Sequence, residues 1–98
     1  MEVYRIGWLP SPSNFVVKHE VMGKLNNGAE QLLAGDLFAS AVYADIAFEA
    51  GATVDCWVKT YGDNGTTAQS EHVKFSATNQ EQVLPVSGLT ATWVSHNP

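Results

Sequence analysis

The chain is poor in several things, and each shortage removes a class of function. It has one cysteine, Cys56, so no internal disulfide can form. Only five Lys and Arg stand against ten Asp and Glu, a net charge of −5, and the basic residues are scattered. No basic run could neutralise phosphates, which excludes nucleic acid as the expected partner and disfavours anionic membrane. No apolar stretch approaches the roughly 20 residues needed to span a bilayer. The first residues, "MEVYRIGW", lack a basic segment followed by an apolar run, so no signal peptide is visible. The expected place of synthesis is a cytoplasm. Charged residues are only 15%, so the surface must rely on Ser, Thr, Asn, Gln and Gly. Catalytic patterns are also missing. There is no G-x-S-x-G elbow and no calcium frame, and "GDNG" at 62–65 reads as a plain turn. The expectation is a protein that is not an enzyme, with no catalytic residues, no cofactor and no metal.

What is present is alternation. Ninety-eight residues suit one domain. "EVYRIGW" at 2–8 sets Tyr4, Ile6 and Trp8 against Val3 and Arg5. "PSPSN" at 10–14 is a loop, because proline fixes φ and removes a donor. "FVVKHEVMG" at 15–23 places Phe15, Val17, His19 and Val21 on one face. "NNG" at 26–28 suits a type I′ hairpin turn at its Asn-Gly step. "EQLLAGDLFA" at 30–39 fits either a short strand or a helical turn. "AVYADIAF" at 41–48 alternates, and "EAG" at 49–51 turns. "ATVDCWVKTY" at 52–61 sets Val54, Cys56 and Val58 on one face and Trp57 on the other. "SEHVKFSAT" at 70–78 and "LTATWV" at 89–94 follow. About seven short strands, with turns every ten residues or so, predict an all-β, antiparallel two-sheet sandwich with almost no helix. The expected core is Trp8, Phe15, Val17, Val54, Cys56, Val58 and Phe75. Cys56 reads as a small buried hydrophobe. His19 and His72 read as surface or cross-strand residues, and His96 as a solvated tail residue.

Residues 43–78, "YADIAFEAGATVDCWVKTYGDNGTTAQSEHVKFSAT", resemble the second half of a fibronectin type III domain. In "RIGWLPSP" at 5–12, Trp8 is followed two residues later by Pro10, which is similar to that family's second strand. Phe48 stands where the family has a buried leucine. Val54 stands where it often has a tyrosine whose hydroxyl locks the corner to the backbone, so the resemblance implies a looser corner. No Arg-Gly-Asp occurs in "YGDNGTTA", so that family activity is not carried over. The resemblance covers roughly residues 3–78 and places the chain start at the second strand. "LPVSGLTATWV" at 84–94 then looks like the first strand moved to the back.

The expected organisation is a sandwich body at 1–78 and a C-terminal segment at 79–98 holding the extra strand 84–94. Three placements of that strand stay open: a hairpin on the strand at 70–78, donation to the vacant edge of a neighbouring copy, or disorder. An in-place return looks strained. It must travel back about 25 Å, while Asn79 to Val83 reach about 18 Å. Borrowing Leu84 to Ser87 could just manage it. The expected interface residues are Trp57, Tyr61, Leu84, Val86, Leu89 and Trp93. Their partners would be other protein subunits, the chain itself by strand exchange, or surface glycans. Fibronectin type III-like domains are common in phage virions, which need no signal peptide. The expected role is therefore a virion structural or assembly component. The alternative is an extracellular or cell-surface recognition module that binds carbohydrate or protein in adhesion.

Overall fold

The computed structural model describes residues 1–78 and 88–96. Among these there is no helix, and the chain forms eight strands. They are β1 (Glu2–Gly7), β2 (Val16–Leu25), β3 (Gln31–Phe38), β4 (Tyr43–Phe48), β5 (Thr53–Gly62), β6 (Thr67–Gln69), β7 (Val73–Ser76) and β8 (Thr90–His96). Two antiparallel sheets pack face to face. One has the order β4-β1-β8; the other has β3-β2-β5-β6, with β7 also paired to β5. This is the expected all-β two-sheet sandwich. The ambiguous stretch at 30–39 is the strand β3, and Thr67–Gln69, which lies outside the expected strands, forms the short β6.

Alternation decides the core wherever the strands are regular. Tyr4 and Ile6 of β1, and Trp8 just after it, pack in one core with Val54, Cys56 and Val58 of β5 and Val73 and Phe75 of β7, and all are buried. Tyr4, Phe48 and Phe75 meet ring to ring, at centroid separations of 4.7 to 6.4 Å. The Tyr4 hydroxyl crosses to the other sheet and donates to the Thr78 carbonyl, with the Ser76 carbonyl at 3.4 Å. A hydroxyl-to-backbone tie therefore comes from β1, not from the position of Val54. Trp8 donates Nε1–H to the Ala41 carbonyl at 2.9 Å, which closes the far end of the core.

Two expected core residues lie outside it. Phe15 is 62% exposed and Val17 is 52% exposed. Val16 pairs with Gly62 but Lys18 pairs with Tyr61, so Val17 is an extra residue in a bulge. A bulge reverses which face the following residues take. The core alternation of β2 therefore starts only at His19. The same device recurs in β3, whose register against β2 slips twice and whose Asp36 has φ of 53°. Leu33, Ala34 and Leu37 turn inward, while Leu32 and Phe38 turn out. The β2–β3 turn is centred on Asn26 and Asn27, one residue before the expected Asn-Gly step. Both have positive φ, and Gly28 N–H donates to Leu25 at 2.9 Å. Asparagine tolerates that region better than most residues. At the Glu49–Ala52 turn, Gly51 supplies φ of 84° where other side chains would be strained.

Strand β8 pairs antiparallel with β1, from Gly7↔Thr90 to Glu2↔His96, within the same chain. The expected hairpin on 70–78 is not formed, because β7 lies in the opposite sheet. The return looked strained only because both strands were drawn too long. β7 ends at Ser76 and β8 begins at Thr90, and the intervening chain can reach about 40 Å against the 25 Å required. Leu84 and Val86 lie outside the described residues.

Trp8→Ala should cost about 3–5 kcal/mol, whereas Phe15→Ala should stay within about 0.5 kcal/mol. Urea unfolding of both variants checks this, and equal losses would refute the bulged register of β2.

Candidate interaction surface

The side chains with chemistry are mostly spent on structure. His19, expected at the surface or in a cross-strand contact, is 1% exposed and meets its cross-strand partner Thr60. Its Nε2 lies 3.1 Å from the Ala39 carbonyl and its Nδ1 3.0 Å from Thr60 Oγ1. A carbonyl only accepts, so Nε2 carries the proton and the Thr60 hydroxyl donates to Nδ1. The ring packs edge-on against Trp8 at 5.8 Å. No carboxylate backs the imidazole, and the arrangement satisfies a buried polar ring. His72 stacks flat on Trp57 at 4.2 Å and contacts Asp55 at 2.8 Å. His96, expected in a solvated tail, lies in β8 against the Glu2 carboxylate. Among the described residues no group of His, Cys, Asp and Glu could hold a metal ion, and no helix is long and apolar enough to cross a membrane.

The expected interface residues scatter. Trp57 is 2% exposed, since His72 covers its face. That leaves no open platform for stacking on a sugar. Tyr61 is half-buried on the outer face of β5. Its hydroxyl donates to Glu20 at 2.5 Å, and Lys18 and Lys59 lie over its ring. Leu89 is buried in the core. Trp93 packs partly against the core and donates Nε1–H to Glu2 at 2.9 Å.

The exposed apolar surface lies elsewhere, and alternation hid it. Among the described residues, six of the nine large hydrophobic side chains that are well exposed belong to one end of the sandwich: Leu9, Phe15, Val17, Phe38, Val42 and Tyr43. The pairings bring them together. Gly7 pairs with Tyr43, Trp8 N–H donates to Val42, Lys18 pairs with Phe38, and Asp63 N–H donates to Phe15. Phe38 is 81% and Leu9 72% exposed. Behind Leu9 a cleft of about 220 Å³ runs between the proline loop and β6, with Trp8, Pro10, Pro12 and Ser70 on its walls. The signal in the sequence was the proline pair. Pro10 and Pro12 keep 9–15 out of any sheet, so Leu9 and Phe15 could not follow strand alternation.

Four ionisable groups among the described residues are clearly perturbed, and one of them, Arg5, is raised above its ordinary value by its hydrogen bond to Asp45. The Arg5 guanidinium grips Asp45 at 2.8 and 3.0 Å and holds that carboxyl below its ordinary range. Glu2 is 2% exposed and also lowered, first by the bond from His96, then by Trp93. Burial pushes the Cys56 thiol up to about 12. No protein-family model matches the chain, and no curated protein or solved structure matches it.

Two outcomes follow from these environments. Native Cys56 should react with a thiol-blocking reagent on the order of a thousandfold more slowly than the unfolded chain; rapid native labelling would overturn its burial. Glu2 is lowered in the folded state, so its contribution is complete above its ordinary value of 4.5 and is lost as pH falls through the lowered one. Asp45 adds a loss of the same sign. Urea unfolding from pH 7 downward should therefore show a shallower acid loss for Glu2→Gln than for the unmodified chain. Identical profiles would show that the Glu2 contacts carry no charge-dependent stability.

Proposed function

We propose that this protein is a non-catalytic structural or assembly component that docks to other protein subunits through its apolar end. The carrying observation is the gathering of six large exposed apolar side chains at one end of the sandwich. Exposed apolar clusters of this kind mark contact surfaces, and aromatic residues such as Phe15, Phe38 and Tyr43 are favoured anchors. Burial of Phe38 alone would remove a large apolar surface from water.

The finer reading is a fibronectin type III-like sandwich whose first strand comes last in the chain. Pairing of β8 with β1 supports it, because the resemblance makes 84–94 the first strand and 5–12 the second, these two pair antiparallel in that family, and Arg5, Ile6 and Gly7 pair with Thr92, Ala91 and Thr90. A phage virion is the assembly that this resemblance suggests, with the chain as a capsid decoration or a head or tail accessory. The recognition-module reading gains support from the same end of the molecule. The loops at 8–15 and 62–66 meet there through the Asp63–Phe15 hydrogen bond.

The test uses particles purified from the source culture. Mass spectrometry should find the chain in them at a fixed copy ratio. Phe15→Asp with Phe38→Asp should keep the melting temperature within a few degrees, since both side chains are exposed, and should remove the chain from the particle. Normal incorporation of the double variant would exclude the apolar end as the docking surface. Recovery of the unmodified chain only outside particles would exclude the virion reading.

A further inference from the structure

The charges of this molecule are sorted by surface. All four lysines stand on the outer face of the five-stranded sheet. Lys18 and Lys24 alternate outward from His19, Val21 and Gly23 on β2, Lys59 from Val58 on β5, and Lys74 from Val73 and Phe75 on β7. The acids on that face are already engaged. Glu20 takes the Tyr61 hydroxyl and lies 3.8 Å from Lys18, and Asp55 holds His72. Lys18 is also shared with Asp36 at 3.7 Å. Lys24, Lys59 and Lys74 have no carboxylate within ion-pair distance among the described residues. The face is apolar as well as basic: Leu32 is 53% exposed beside its register partner Met22.

The apolar end has the opposite sign. Asp63 adjoins Phe15, and Glu71 adjoins the Gly88–Leu89 segment beside Leu9. Neither has a cationic partner among the described residues. Two cations reach that end, Arg5 over the Tyr43 ring and Lys18 beside Phe38, and both are committed, Arg5 to Asp45 and Lys18 to Glu20 and Asp36.

We propose that the apolar, acidic end of one copy docks on the lysine-bearing outer face of the five-stranded sheet of a second copy. This rests on the docking role proposed for the apolar end and names its partner. Charge decides the geometry. An end-to-end dimer would set Asp63 and Glu71 against their own copies, and like-charge juxtaposition is costly. End-to-face contact sets them near Lys59 and Lys74 and lays Phe15 and Phe38 toward Leu32 and Met22. The two surfaces differ, so the contact is heterologous. Each copy keeps a free end and a free face, and repetition gives a ring or an open filament.

Two blocked variants test this. Leu9→Asp with Phe15→Asp removes the end and leaves the face, sparing Phe38 because it stands beside Lys18 on that face; Lys59→Glu with Lys74→Glu removes the face and leaves the end. All four side chains are exposed or half-buried, and circular dichroism confirms that each variant stays folded. Light scattering on the unmodified chain in about 0.15 M salt should show a mass that rises with concentration up to about 1 mM. Each variant alone should associate about tenfold more weakly or worse. Mixed in equal amounts, they should form a species of twice the protomer mass and nothing larger, because one supplies only an end and the other only a face. An unmodified chain that stays monomeric throughout, a mixture that stays monomeric, or a mixture that grows beyond the dimer would each overturn the proposal. A monomer in solution, joined to loss of the Phe15/Phe38 variant from particles, would sink self-docking and leave the apolar end as a surface for a different subunit.

Discussion

The fold turns on one hydroxyl. Tyr4 stands in the middle strand of the three-stranded sheet and bonds across the core to the backbone at 76–78, just beyond the last residues of β7. A buried phenol without a partner would cost about 1–3 kcal/mol, so Tyr4 needs a carbonyl from the opposite sheet at this depth. That need fixes where β7 must end. Gly51 and Ala52 take up the other side of the same segment, through Gly51 N–H to Ala77 and Ala77 N–H to Ala52. The chain is thus pinned at the end opposite Leu9. The first sheet is completed from the other end of the sandwich, where Thr90 of β8 pairs with Gly7.

Much of this was legible in the sequence. β1, β4, β5, β7 and the strand near the C-terminus alternate plainly, and Trp8, Val54, Cys56, Val58 and Phe75 are buried as their spacing requires. The misses share a cause. Alternation assumes one residue per step of the ladder, and bulges break that count at Val17 and around Leu33–Asp36. No residue type in "FVVKHEV" announces the slip, because valine suits either face. Asp36 with its positive φ was the fainter hint in β3. Trp57 was placed on the outer face, as the period required; its cover, His72, comes from a segment 15 residues away and only pairing could bring it there. The candidate surface was harder still, since it consists of the residues that escape the period.

The same irregularities that defeat a period-two reading shape the surface. A regular β2 would bury Val17 and Phe15, and a regular β3 would carry Phe38 with its neighbours. Each bulge instead releases a large apolar side chain at the same end, next to a proline loop that cannot join a sheet. The low charge content then matters. Few charged groups are present to interrupt the cluster, and most of the cations stand on the flat of the other sheet. Contact surface and structural irregularity therefore have a common origin in this molecule.

Pairing of β1 with β8 joins residues 83 to 94 positions apart, from Gly7↔Thr90 to Glu2↔His96. Ribosomes deliver a chain in order. β1 leaves the ribosome before β4, and β4 before β8. In the interval before β8 arrives, one edge of β1 offers unpaired backbone groups to any passing strand. The sheet closes only when Trp93 and His96 reach the carboxylate of Glu2, and the state that still lacks β8 is the one a chaperone would have to guard.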